Sequence, residues 1–379
     1  MLVVPLVTSL GFSGRNASAA AGVSFELPAE GCPSGTFGSP ALHASGRNLL
    51  VAVAERGCGY VSLRDGHTGR ELRRFENPLG GTFPIDNGPS FGAALDVSGS
   101  RLLVGAPDER AVHALDARTG KLVRTYEGPR SRGDGFGTAV LGLGSRVVVG
   151  ALYDGLEIDT VRSYGTVHVF DAKSGRLERS IRAAPEDGAR AFGFRLARLA
   201  GDRVVVGTLN ASEGGPGRIF VLEAGTGEVL LALSTPSITD DSNFHGAFAT
   251  TRGRIIVGVP GGGGTTSGGA VYVHDAGSGA VLRTITSPGD PSEAFGAGLA
   301  TRGSRLLVVA PYNGPDRRSQ ATIYLFDLRT GRLRGRLPLE ATFGGGSFAP
   351  PVFLRRGFAY ALSSGALEVV YRYGPPPPP

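Results

Sequence analysis

Short apolar runs recur along this chain, each bounded by Gly, Pro, Asp or Ser. The clearest is Leu102-Leu103-Val104-Gly105-Ala106-Pro107; others lie at 147–151, 204–207, 255–260 and 306–311. Such runs, rich in Val, Ile, Leu, Phe and Tyr, are too short for helices and predict β-strands. Their apolar residues are consecutive rather than alternating, as expected of strands covered on both faces.

The runs belong to a repeat of about fifty residues. Each unit opens with a Phe-Gly pair or a close relative: Phe37-Gly38, Phe91-Gly92, Phe136-Gly137, Phe192-Gly193, Phe244-His245-Gly246, Phe295-Gly296 and a degenerate Phe348-Ala349. The apolar run follows. Next comes an aromatic-rich strand ending in an acid, as in 111–116, 166–171, 218–223, 270–275 and 322–327. A tight loop such as Asp116-Ala-Arg-Thr119-Gly120 and a fourth apolar stretch complete the unit. In that loop Asp can accept main-chain N–H groups and Gly can take positive φ, so the recurring acids read as turn-formers rather than ligands. The pattern predicts an all-β fold, a seven-bladed β-propeller of four-stranded antiparallel blades.

The last unit has strands near 351–354, 358–362 and 367–371 but lacks a fourth. Residues 23–38 match 281–296 in length, with Val, Pro-Ser and Phe-Gly in register. An N-terminal strand is therefore expected to complete the C-terminal blade and close the ring, leaving no exposed edge there. The expected organisation is a leader at 1–22, one propeller at 23–374 and a stiff Pro375–Pro379 tail.

Composition agrees with a turn-rich fold: 61 Gly and 25 Pro among 379 residues, with 41% hydrophobic residues to fill a core. The net charge is +6, carried almost entirely by Arg, since Lys occurs only at Lys121 and Lys173. The Arg residues are dispersed, which argues against a nucleic-acid partner and leaves compositional bias or an acidic polysaccharide as explanations. The apolar start, Met1 to Phe12, followed by Ala17-Ser18-Ala19, has the form of an export signal without its usual basic residues. It is too short to cross a bilayer as a helix, and no other segment is transmembrane in character. Export to the periplasm, cell surface or medium is the expectation. Cys32 and Cys58 are then a disulfide candidate; in a reducing compartment they stay thiols. Without neighbouring His they make a poor zinc site.

The Phe-Gly and Gly-Ala-Pro pairs resemble FG-GAP repeats, as in integrin α-chain propellers and a class of bacterial exported proteins. The resemblance spans about residues 37–371 and implies a propeller that binds partners. The acidic calcium loop of integrin-type blades is missing, and Gly-Ser-Arg or its equivalent stands in its place. No cofactor is expected. The weak metal candidate is Asp154, Glu157 and Asp159, alternatively a solvated acidic loop, since calcium needs six or more oxygens. The third-strand pattern from Val112 to Gly120 also resembles repeats of quinone-dependent dehydrogenase propellers. Those carry a Trp after the Thr-Gly turn that packs between blades, and this chain has no Trp.

Other motifs resolve into packing. Arg132-Gly133-Asp134 sits where other units also place an acid before the opening Phe. His113 and His168 occupy a third-strand position that holds Phe220, Tyr272 or Tyr324 elsewhere. The Gly261–Gly264 run precedes no helix, so it is no phosphate loop. Units differ most in the loop between second and third strands. Loops of this kind are where function is grafted, so Tyr153, Asp154, Tyr312, Asn313, Arg317 and Arg318 are the candidate ligand contacts. The expected function is a non-enzymatic, monomeric, exported module that binds a protein or a glycan. The alternative is a propeller enzyme, a hydrolase, lyase or quinone-dependent oxidoreductase, with its site in the central channel or on the loop face.

Overall fold

The computed structural model describes residues 7–10, 20–26, 41–45, 48–54, 60–65, 70–79, 91–129, 134–154, 164–183, 190–209, 218–233, 247–260, 269–289, 293–313, 320–339, 352–355, 358–362 and 366–372. The chain begins with β1 (Val7–Leu10) and β2 (Ala20–Glu26). The first sheet holds β3 (Ala41–Ser45), β4 (Asn48–Ala54), β5 (Tyr60–Asp65) and β6 (Glu71–Glu76). The second holds β7 (Ala94–Ser98), β8 (Arg101–Ala106), β9 (Ala111–Asp116) and β10 (Leu122–Glu127). The third holds β11 (Phe136–Leu143), β12 (Arg146–Ala151), β13 (Thr166–Asp171) and β14 (Leu177–Ile181). The fourth holds β15 (Arg190–Arg198), β16 (Arg203–Leu209), β17 (Ile219–Glu223) and β18 (Val229–Leu233). The fifth holds β19 (Phe248–Thr251), β20 (Arg254–Val259), β21 (Ala270–Asp275) and β22 (Val281–Thr286). The sixth holds β23 (Gly298–Arg302), β24 (Arg305–Asn313), β25 (Gln320–Asp327) and β26 (Leu333–Leu339).

All these sheets are antiparallel meanders of four neighbouring strands. A further sheet joins the two chain ends in the order β1-β2-β29-β28-β27, with β27 (Val352–Arg355), β28 (Phe358–Leu362) and β29 (Ala366–Arg372). There Val23 faces Val369 and Phe25 faces Leu367, while Val7 of β1 faces Val23. β2 starts at Ala20, inside the segment read as a leader.

In the second to sixth sheets the second strands are buried from just after their leading Arg, as their unbroken apolar runs predict. Leu102, Leu103 and Val104 are each at most 2% exposed, and so are Val147, Val148 and Val149. Each core lies between two sheets. Val112, Ala114 and Tyr126 of the second sheet pack with Phe136, Val149 and Phe170 of the third. Val148 and Val169 of the third pack with Phe192, Val204 and Phe220 of the fourth. Burial of each such large side chain is worth about 1.5–3 kcal/mol. The opening Phe forms an edge contact with its own third strand, as in Phe136–Phe170 and Phe192–Phe220, centroids 5.8 and 5.4 Å apart. First strands of consecutive sheets lie against one another from β3 through to β27.

The glycines of the two repeated pairs meet across this packing. A Cβ on Gly105, Gly150 or Gly258 would stand 2.0–2.1 Å from the carbonyl oxygen of Gly137, Gly193 or Gly296, respectively. The latter three have φ of +97°, +93° and +101°. Main chain touches main chain here, so both partners lack a side chain.

Among the arginines that fasten one sheet to the next, three sit in outermost strands just after the tight turn. Arg124 of β10 donates from Nη1 to the Ser174 carbonyl at 2.7 Å, and its Cδ lies 2.9 Å from where a Cβ on Gly175 would stand. Arg179 of β14 reaches the Gly225 carbonyl at 2.7 Å, and Arg283 of β22 reaches that of Arg329 at 3.2 Å. Each arginine covers the tight turn of the following sheet. In the six four-stranded sheets the outermost strand also carries a register shift against its neighbour, for example between Leu122 and Arg124.

Candidate functional site

At the loop end of the third sheet, Tyr153 is 51% exposed, whereas Asp154 beside it is 3% exposed. The Tyr153 N–H donates to the Asp134 carbonyl at 2.9 Å, and Gly165 N–H donates to the Asp154 carbonyl at 3.0 Å. These bonds pin both ends of the loop. The Asp154 carboxylate turns inward, with Arg182 Nη2 at 3.5 Å and His168 Nε2 at 3.9 Å. His168 Nδ1 meets Ser180 Oγ at 2.9 Å. The second sheet repeats the arrangement. His113 lies between Thr125 Oγ1 at 3.0 Å and Glu109 Oε2 at 2.9 Å, and Glu109 also accepts from Asn77 at 2.5 Å. In the sixth sheet the Tyr324 hydroxyl donates to Glu293 at 2.7 Å, and the Ser287 hydroxyl donates to the same carboxylate. Burial, then the bond to Glu293, pushes the Tyr324 hydroxyl above its usual pKa. Glu109 and Glu293 thus hydrogen-bond buried third-strand groups, as buried polar atoms usually are, while Asp154 stands 3.9 Å from its histidine, at ion-pair rather than hydrogen-bond distance. Asp134 of the Arg-Gly-Asp tripeptide is similarly 6% exposed and accepts the Phe136 N–H at 3.0 Å.

Tyr312 and Asn313 end β24, where Asn313 faces Gln320. Arg317, Arg318, Glu157, Asp159, Cys32 and Cys58 lie outside the described residues. Among the described residues no three His, Cys, Asp or Glu side chains are grouped to hold a metal, and no helix is long and apolar enough to cross a membrane.

A second surface lies at the opposite end of the strands. The turns joining first and second strands in the second, third and fourth sheets enclose a groove of about 580 Å³. Val97 and Leu143 lie buried at its floor, Ser98 and Ser145 supply hydroxyls, and Arg146, Arg198 and Asp202 supply charges. Arg146 donates to Glu178 at 2.8 Å and to Asp202 at 2.5 Å. The bond to Glu178 raises the guanidinium pKa further. Beneath the groove, Asp96 accepts the Gly142 N–H at 2.8 Å, with Arg198 Nη2 3.6 Å from the same carboxylate oxygen. Arg198 also donates to the Gly142 carbonyl. Burial lifts the Asp96 carboxyl above the usual range against the pull of Gly142 and Arg198. The line of contacts continues from sheet to sheet: Thr250 Oγ1 donates to the Arg198 carbonyl at 2.6 Å, and Thr301 Oγ1 to that of Thr250 at 2.8 Å.

The signal for this groove was present in the repeat. Asp96 pairs with Leu103 at the register position filled by Leu141, Ala197, Ala249 and Ala300 in the next four sheets. A carboxylate at an otherwise apolar position marks a departure from packing duty. Attention to loops alone passes over it.

A profile of the PQQ_2 family, described as outer membrane protein assembly factor BamB, matches residues 57–266. The chain belongs to the PQQ_2 family. The repeat is therefore of the PQQ and BamB class, and the resemblance to FG-GAP and integrin α-chain propellers is corrected. Phe-Gly and Gly-Ala mark the close main-chain approach of adjacent sheets, so they report packing rather than ancestry. The missing Trp misled in the other direction. In this PQQ_2 chain an arginine after the Asp-x-x-Thr/Ser-Gly turn packs between sheets at Arg124, Arg179 and Arg283. The described sheets are those of a PQQ-type β-propeller. Among solved structures, hydrazine synthase of Kuenenia stuttgartiensis is similar in fold, at a TM-score of 0.62 and 15% identity over 92% of this chain and 100% of that one. A comparison with curated proteins returns no match.

Proposed function

We propose that this chain is a non-enzymatic, exported β-propeller that holds a protein partner on the loops between second and third strands. The observation that carries this reading is the construction of the third-sheet loop. Its two ends are pinned by Tyr153 and Gly165 hydrogen bonds, Asp154 anchors it from below, and Tyr153 stands half exposed at its edge. A large amphipathic ring on a fixed base is the kind of side chain that anchors protein interfaces. The family description, an assembly factor, supports a scaffolding role. The signal-like start supports export.

The ring itself is part of the proposal: seven blades, closed through β2. Its support is the β2–β29 pairing and the position of β27, which lies against β23 on one side and β3 on the other.

A photoreactive residue replacing Tyr153 in the producing cell is expected to cross-link one defined polypeptide. The same probe replacing Lys173, at the other end of the strands, is expected to yield none. Equal yields from both positions, or no adduct at position 153, would count against the loop face.

A further inference from the structure

The groove at the first-to-second-strand turns is lined by charges of both signs that already neutralise one another. Arg146 is held by Glu178 and Asp202, and Arg198 lies over Asp96 while bonded to the Gly142 carbonyl. An incoming anion has to compete with these carboxylates for guanidinium donors, and an incoming cation has to displace the guanidiniums. A neutral hydroxyl group faces neither cost. It can accept from guanidinium N–H groups beyond those the carboxylates engage, and donate to free lone pairs of Asp202. We infer that this groove binds a neutral saccharide, independently of the partner proposed for the loop face.

Four features support this assignment. The volume of about 580 Å³ lies within the range of roughly 300–1,000 Å³ usual for small-molecule sites. The charged side chains are cross-braced, so their donors and acceptors are fixed before a ligand arrives, which lowers the entropy cost of binding. Ser98 and Ser145 add hydroxyls at the turns, to which a sugar hydroxyl can donate or from which it can accept. The rim is open main chain, with no atom within 4 Å of where a Cβ on Gly99, Gly144 or Gly201 would stand. An extended peptide fits less well, because the groove is built from turns and offers no strand edge for a ladder.

The test uses the full chain and three neutral tetrasaccharides: cellotetraose, maltotetraose and tetra-N-acetylchitotetraose, with tetragalacturonate and an acidic hexapeptide as charged comparisons. Titration calorimetry and line-broadening NMR are run at low and high salt. At least one neutral tetrasaccharide is expected to bind with Kd below about 5 mM, with less than about a twofold change across the salt series. Ser145→Tyr, which fills the groove from an exposed turn, is expected to weaken that binding at least tenfold while leaving the thermal midpoint unchanged. If that variant melts early, Arg198→Gln replaces it, with the same loss expected. The inference is overturned if no neutral tetrasaccharide binds at that strength, or if binding survives in the folded variant. Tighter, salt-sensitive binding of tetragalacturonate or the peptide overturns it too. None of these outcomes touches the Tyr153 cross-link, so the two surfaces stand or fall separately.

Discussion

Asp327 closes the turn after β25 by accepting both the N–H and the hydroxyl of Thr330 at 2.8 Å. Those two bonds, main chain first, hold its carboxyl at a pKa of about 2. Asp116, Asp171 and Asp275 are lowered by the same Ser or Thr contacts. A carboxylate whose pKa falls on folding stabilises the fold above its unfolded pKa of about 3.9, and loses that contribution as pH drops through the folded value. Carbon-detected NMR titration is expected to place the Asp327 midpoint near 2, with acid sensitivity beginning below about pH 4. A midpoint at or above about 4 would show that the cap does not form. These acids were legible in the sequence because their spacing to Thr or Ser and Gly recurs. Asp96 stood out only as a carboxylate at an apolar position; its partnership with Gly142 and Arg198 was not legible, because those contacts run between sheets that are distant in the chain.

Strand by strand, the repeat announced its own structure. Apolar runs became buried second strands, and the acid-terminated stretches became third strands. Family membership was harder to read, because a missing Trp looked like a missing function. At the element scale the function is inter-sheet docking, and arginine performs it. Arg124→Ala is expected to lower the urea midpoint by an amount equivalent to about 1 kcal/mol, one hydrogen bond and its stacking. Arg124→Trp is expected to hold near the parent value, since a flat ring can cover the Gly175 turn. An unchanged midpoint in the alanine variant would remove arginine from this role.

For the molecule as a whole, the sharpest question concerns the sheet shared by the chain ends. Removing residues 1–19 deletes β1 and spares β2, whereas removing residues 1–26 bares the edge of β29. The longer deletion is expected to cost about 3 kcal/mol or more and to broaden the melting transition, the shorter one about 0.5 kcal/mol or less. Equal melting of the two would break the closed-ring proposal. The pairing partner of β2 was legible because residues 23–38 copy the pattern of a fourth strand. What occupies the loop face was not, because those loops are where the units stop resembling one another.

One modest irregularity governs how such a molecule behaves in a crowd. The outermost strand of each four-stranded sheet slips register at the same step, just after its turn. A foreign strand that found the bonding rhythm before the slip would be out of phase beyond it. The exposed aliphatic residues nearby, Leu122, Val123, Val229, Leu230, Val281 and Leu282, thus sit where no continuous cross-chain ladder can be completed. Outer edges interrupted in this way are poor templates for pairing one copy of the chain with the next.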